Sequence, residues 1–202
     1  MFTSIVTVIV LLDGVLSYSM RQGDRRGPDL DFSDFTYDGK VKEGSLSDGL
    51  GQLTDLEEGN TNFRLDLQNL GKKGYEWVAW KNESHPNGNV EIVFRFDQVF
   101  NFSAIRITAN NVPNREVSVF KRALVFFSIG GIHFGSDAPV VFNYSRDTTV
   151  ESARHVFVPI PHRVGRFLKL LLFFDTRWIM ISEIRFFGGM LFFPESFIRG
   201  FI

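Results

Sequence analysis

The 202-residue chain contains no cysteine, which removes thiol catalysis, iron–sulfur clusters and cysteine-bound zinc. The absence leaves the compartment open, because a fold of this size needs no disulfide to stand. An excess of one charge is also missing: 22 Lys and Arg face 23 Asp and Glu, for a formal net charge of −1. That balance excludes a polybasic nucleic-acid binder. No apolar run approaches the roughly 18 residues of a membrane-spanning helix. Residues 5–12 (IVTVIVLL) form a short one. It reads either as the core of a secretory leader or as a buried β-strand ended by the Asp13-Gly14 turn, and both readings stand. The four histidines, His85, His133, His155 and His162, are scattered without zinc-binding spacing. There is no G-x-S-x-G elbow and no P-loop, and Gly49-Leu50-Gly51 opens no helix after a strand. No catalytic constellation emerges, and the chain reads as a non-enzyme.

What is present is phenylalanine, 23 of 202 residues, in a chain that is 44% hydrophobic. Such loading points to a thick β core. Val90, Ile92, Phe94 and Phe96 alternate with Glu91, Val93, Arg95 and Asp97, and Ile105 and Ile107 alternate with Arg106 and Thr108. A period of two with one apolar face predicts strands. Further strands are predicted within 117–129, 140–142, 155–160, 167–174 and 178–187, with an Asn87-Gly88 turn leading into residue 90. Many short strands without helical periodicity predict an all-β sandwich or barrel. Residues 1–20 are set apart as an apolar N-terminal segment, 21–189 as the domain and 190–202 as an apolar tail too short to span a bilayer.

Between residues 24 and 66 lie eleven acidic residues against five basic ones, in a glycine-rich, loop-like segment. An oxygen-rich loop of this kind suits a hard cation such as calcium, and equally a solvated acidic surface. Three N-x-[ST] sequons, at Asn82, Asn101 and Asn143, point outward from the cell as glycosylation acceptors.

A set of phrases recurs in order: Tyr37-Asp38-Gly39, then Gly49-Leu50-Gly51-Gln52-Leu53-Thr54-Asp55, then Gly74-Tyr75-Glu76-Trp77-Val78-Ala79-Trp80 followed by Asn82-Glu83-Ser84. Near the end stand Arg177-Trp178-Ile179-Met180-Ile181-Ser182-Glu183-Ile184 and Phe186. The series resembles the second extracellular domain of the discoidin domain receptors, the collagen-activated receptor tyrosine kinases. Asp13-Gly14-Val15-Leu16-Ser17-Tyr18 resembles the last strand of the collagen-binding discoidin domain that precedes it in that family. The resemblance implies a jelly-roll β-sandwich of the galactose-binding type holding a structural calcium near one end. The implied ligands fall on Ser33, Gln52, Asp55, Glu57, Tyr75, Trp77, Ser182 and Glu183. Calcium accepts main-chain carbonyls, so Ser33, Glu57, Tyr75 and Trp77 need contribute backbone only. Vertebrate-type members carry cysteines in this domain; Ala109 stands where one lies.

The implied role is that of a non-catalytic extracellular domain at the cell surface. It would space and orient the collagen-binding module and support a receptor homodimer, with the kinase and the collagen contacts elsewhere in the parent protein. Two rivals remain. A free-standing carbohydrate-binding module would need an exposed aromatic platform, for which Trp77, Trp80 and Trp178 are the candidates, and a glycosidase would need two carboxylates across one cleft.

Overall fold

The alternation around residue 90 continues much further than its first four apolar residues. In the computed structural model, which describes residues 10–135 and 138–190, it belongs to a 21-residue strand, Asn89–Ala109 (β6). The strands before it are Val10–Leu11 (β1), Val15–Arg21 (β2), Lys40–Lys42 (β3), Ser45–Gly49 (β4) and Val78–Lys81 (β5). After it come Arg122–Ser128 (β7), Val140–Asn143 (β8), Arg154–Phe173 (β9) and Trp178–Met190 (β10). The named strand pairs are all antiparallel.

One edge of β6 serves two partners. Its first half pairs with β2, Tyr18 opposite Phe94, and its second half pairs with β10, Ile107 opposite Ile184. β9 follows the other edge over both halves, with register shifts between Arg95 and Phe100 and between Phe102 and Ala104. Such irregularities bend a strand and raise its twist. The bent pair carries the chain from one leaf, β3-β4-β2-β6-β9-β7-β8, to a second formed by the other halves of β6 and β9 with β10, β1 and β5. The leaves meet through Phe94 and Phe96 of the first and Phe186 of the second, with ring centroids 4.8 and 5.0 Å apart. Each such buried ring contributes a few kcal/mol, so Phe186→Ala should cost about 3–5 kcal/mol.

The predicted strands at 90–97 and 105–108 are thus one strand, as are those at 155–160 and 167–174, because a bulge interrupts the apolar alternation without ending the pairing. The strand predicted within 117–129 begins only at Arg122, after a short 3-10 turn at Pro113–Arg115. Residues 10–20, expected to lie outside the domain, instead supply β1 and most of β2. Residues 1–9 and 191–202 lie outside the described residues. The acidic segment holds the β3–β4 hairpin, whose two-residue turn places Glu43 and Gly44 at φ 50° and 74°, the geometry that matches strand twist. Beyond it a 3-10 turn, Phe63–Asn69, helps roof a second cluster of Phe32, Tyr75, Trp77, Trp178 and Met180 on the outer side of β5 and β10.

Candidate metal centre

The last strand carries the most consequential irregularity. Between Ile181 and Glu183 the pairing of β10 with β6 shifts register, so Ser182 is the extra residue of a bulge. A bulge re-aims side chains that strict alternation would place on opposite faces. Ser182 and Glu183 are both buried here, Glu183 at 1% exposure. The Ser182 hydroxyl and Glu183 Oε2 have no protein hydrogen-bond partner. Glu183 Oε1 meets Arg185 Nε at 3.3 Å. Burial pushes the Glu183 carboxyl up to about 8; Arg185 opposes the shift and the charge of Asp55 adds to it.

The loop after β4 is stitched to this bulge by Ile184 N–H donating to the Leu53 carbonyl at 2.8 Å. Gln52, 1% exposed, bridges two further segments. Its Oε1 accepts from Phe35 N–H at 2.9 Å, and its Nε2 donates to the Tyr75 carbonyl. Asp55 accepts from the Glu57 N–H at 3.0 Å, leaving the Glu57 side chain exposed. Leu56 between them sits at φ 72°, a strained value for a branched side chain, and its carbonyl accepts from Arg185 Nη2 at 2.8 Å. A cavity of about 220 Å³ beside Glu183 is bounded by Thr54, Leu56 and Arg185.

Two acids that the sequence reading passed over join this group. Asp34, 3% exposed, accepts from the Tyr18 hydroxyl and, at 3.2 Å, from Gln52 N–H. Burial pushes its carboxyl up, against the lowering effect of those donors. Glu76 is also buried, with Oε2 unpartnered, and its carboxyl is raised by burial and then by the charges of Asp55, Glu57 and Asp34. Asp55 is raised by partial desolvation and by Glu57 and Asp34. These acids repel one another across one small volume. Among the described residues no three acidic or histidine side chains are grouped tightly enough to hold a metal by themselves. A cation here would therefore rest on amide, hydroxyl and main-chain oxygens as well.

The structure thus gathers Gln52, Asp55, Glu57, the Tyr75 carbonyl, Ser182 and Glu183 around one end of the sandwich. The Ser33 hydroxyl and N–H both bond Asp31 Oδ1, at 2.6 and 3.1 Å, which leaves its main-chain carbonyl as the group it has to offer, and the next residue, Asp34, faces Gln52. The Trp77 ring packs in the second core cluster, so Trp77 likewise has only its carbonyl to offer. The one available signal for Asp34 was an acid wedged between Phe32 and Phe35 in an otherwise hydrated stretch. Trp77, Trp80 and Trp178 are 0, 0 and 3% exposed, so none forms the aromatic platform a carbohydrate-binding module would need.

The bent two-leaf sheet and the acid-lined end define a β-sandwich module of the discoidin type. The family profile described as "Discoidin domain-containing receptor 1/2, DS-like domain" matches residues 14–188, and the chain belongs to that family. It is 34% identical over 177 residues to the discoidin domain-containing receptor tyrosine kinase B of Caenorhabditis elegans, covering 86% of this chain and 21% of that protein. It is 32% identical over 181 residues to human epithelial discoidin domain-containing receptor 1, covering 89% of this chain and 20% of the receptor. The chain therefore spans about a fifth of the length of these relatives. Among solved structures, the CBM32-1 and CBM32-2 domains of Clostridium perfringens ZmpB match with a TM-score of 0.47 and 15% identity, over 89% of this chain and 37% of that one.

Proposed function

We propose that this chain is the extracellular DS-like domain of a cell-surface receptor, folded around one structural calcium ion. In this reading it spaces and orients a collagen-binding module and supports receptor dimerisation and signalling. The family match supports the receptor context. The observation that carries the calcium is the Ser182-Glu183 bulge: a buried carboxylate with an unpartnered oxygen, set against the Gln52–Asp55 loop. The ligand set is the carboxylates of Asp55 and Glu183, the Gln52 amide oxygen, the Ser182 hydroxyl and the carbonyls of Ser33, Glu57, Tyr75 and Trp77, with the Asp34 carboxylate beside Gln52 adding negative charge. That set lies within the six to eight oxygens calcium accepts. Gln52 Oε1 accepts one hydrogen bond, from Phe35 N–H, and keeps a second lone pair for the ion. The ion would offset the mutual repulsion of the acids and pin the loop to the last strand.

Titration calorimetry of the chelator-treated chain with calcium tests the site. One ion per chain is expected, and Asp34→Asn should weaken binding whereas Ser33→Ala should not. Heat indistinguishable from buffer would overturn the calcium site and leave the buried acids to be held neutral by protonation. The spacing role is tested by grafting residues 14–188 in place of the corresponding domain of an intact discoidin domain receptor. Collagen-triggered autophosphorylation should survive the graft, and its loss despite normal surface display would count against the role. The isolated chain should not bind triple-helical collagen in a solid-phase assay.

A further inference from the structure

Among the described residues the sandwich leaves five strand edges, and four are protected in recognisable ways. The half of β9 from Arg154 to Gly165, which β7 does not reach, carries Pro159 and Pro161 together with Arg154 and Arg163. β1 is only two residues long. β3 carries Lys40 and Lys42. β5 is covered by the chain around Asp24 and Phe32, with Asp24 N–H bonded to the Ala79 carbonyl at 2.7 Å and Ala79 N–H to the Phe32 carbonyl at 3.2 Å. Short length, charge and a covering segment are the usual devices against edge-to-edge association. The fifth edge, β8, has the sequence Val140-Val141-Phe142-Asn143 and no charged side chain. Among the described residues nothing pairs with its far side.

The register shows what this edge offers. Tyr144 N–H donates to the Lys121 carbonyl at 3.0 Å, so alternate residues of β8 bond β7 while Val141 and Asn143, opposite Leu124 and Arg122, point their N–H and C=O groups away from it. Val141 is 55% exposed and Asn143 is exposed beside it. An unpaired, uncharged, β-branched edge is a template for another strand. Asn143 is also the acceptor of the sequon Asn143-Tyr144-Ser145, whose Ser145 is exposed.

We propose that Asn143 is N-glycosylated and that its glycan is the device protecting β8. The proposal rests on the extracellular reading above. In the transfer, the Asn143 amide nitrogen bonds to the anomeric carbon of a lipid-pyrophosphate-linked oligosaccharide. The anomeric C–O bond breaks, the amide loses one proton and the lipid pyrophosphate leaves. The glycan then projects from the outer face at the residue whose backbone is free, and a strand approaching the edge meets a hydrated, bulky chain. Asn101 is the contrasting sequon. It lies in mid-sheet, paired with Val164 on one side and Gly189 on the other, and its Oδ1 is buried. Its half-buried side chain stands on a sheet face with strands paired on both sides, which hinders transfer to it. Asn82 is exposed on a short 3-10 turn and serves as the reference site.

The test is to secrete the full chain from eukaryotic cells behind an exogenous leader and remove N-glycans in ¹⁸O water. Peptide mass spectrometry then reads each site. Asn82 and Asn143 are expected to be occupied and Asn101 not. Light scattering then compares the wild type with Asn143→Gln and with Ser145→Ala. Both should show about a twofold rise in mean mass over the wild type, as pairwise edge addition requires. Adding Val141→Lys to Asn143→Gln should reverse the rise. Occupied Asn82 with empty Asn143 overturns this proposal and leaves the extracellular reading standing; no occupied site overturns both. An occupied Asn143 whose removal leaves the mass unchanged overturns the protective role, and an occupied Asn101 overturns the mid-sheet argument.

Discussion

Two acids flank Arg185, and their surroundings differ. Glu58 meets Arg106 Nη2, Arg185 Nη2 at 3.1 Å and His155 Nδ1 at 3.6 Å, a cluster that ties its loop to β6, β9 and β10. Among the described residues Glu183 has one cationic partner, Arg185 Nε at 3.3 Å, with the Leu56 backbone N–H as a lesser support, against the repulsion of Asp55. Glu58 finds its counterions within the protein. Glu183 is more deeply buried and finds too few, so the fold leaves a place where an added cation gains the most. A buried carboxylate short of counterions signals a ligand; one among arginines signals a structural clasp.

The largest effect expected is from calcium itself. An ion bound only by the native state stabilises by about 2.7 kcal/mol at a hundredfold excess over Kd, which for a chain of this size is a rise of about 5 to 11 °C in melting temperature. Thermal melts in calcium and in chelator should show it, and Asp55→Ala should abolish most of it. A wild-type melt indifferent to chelator would remove the distinction between the two acids.

The next effect is on pH dependence without calcium. Glu183 has a folded value near 8, above the ordinary glutamate value of about 4.3. Between those values the folded state holds a proton that the unfolded state has released, so stability falls as pH rises through that window. Allowing for relaxation around the buried group, the loss is about 2 kcal/mol. Melts across that range in chelator should show the decline, and Glu183→Gln should flatten it. The same substitution should raise the melting temperature in chelator at pH 8 while removing the calcium response. Glu58→Gln sharpens the contrast by acting with the opposite sign. It strips the clasp of its charge and should cost about 1 kcal/mol with calcium or without it. The smallest effect is expected from Glu57→Ala, within about 0.5 kcal/mol and with the calcium response retained, because only its carbonyl belongs to the proposed ligand set. If that variant lost the response, the side chain would have to join the set.

Much of this site was legible as types of residue in order. Gln52 and Asp55 stand three apart in a glycine-rich loop, and Ser182-Glu183 interrupts an apolar strand. Less legible was which neighbour turns inward. Ser33 and Asp34 are adjacent and both polar, and only the packing of Tyr18 and Gln52 around Asp34 separates them. Nor did the pattern around residues 97–104 disclose that two strands are one, since a bulge looks like an ending when a single strand is read alone. Glu58 carries no local mark of its role, because its partners Arg106, His155 and Arg185 lie far along the chain.

The sequence by itself determined the all-β class, the antiparallel alternation, the absence of thiol chemistry and the family. These depend on periodicity, composition and short ordered phrases, all of which are local. The tertiary structure decided which acids share a volume, which of them lack a counterion, which tryptophans are covered and which sequon lies on a free edge. Each of those is a property of burial and of pairing between distant segments. Coulomb energies and desolvation depend on distance in space, and the order of residues along a chain does not fix that distance.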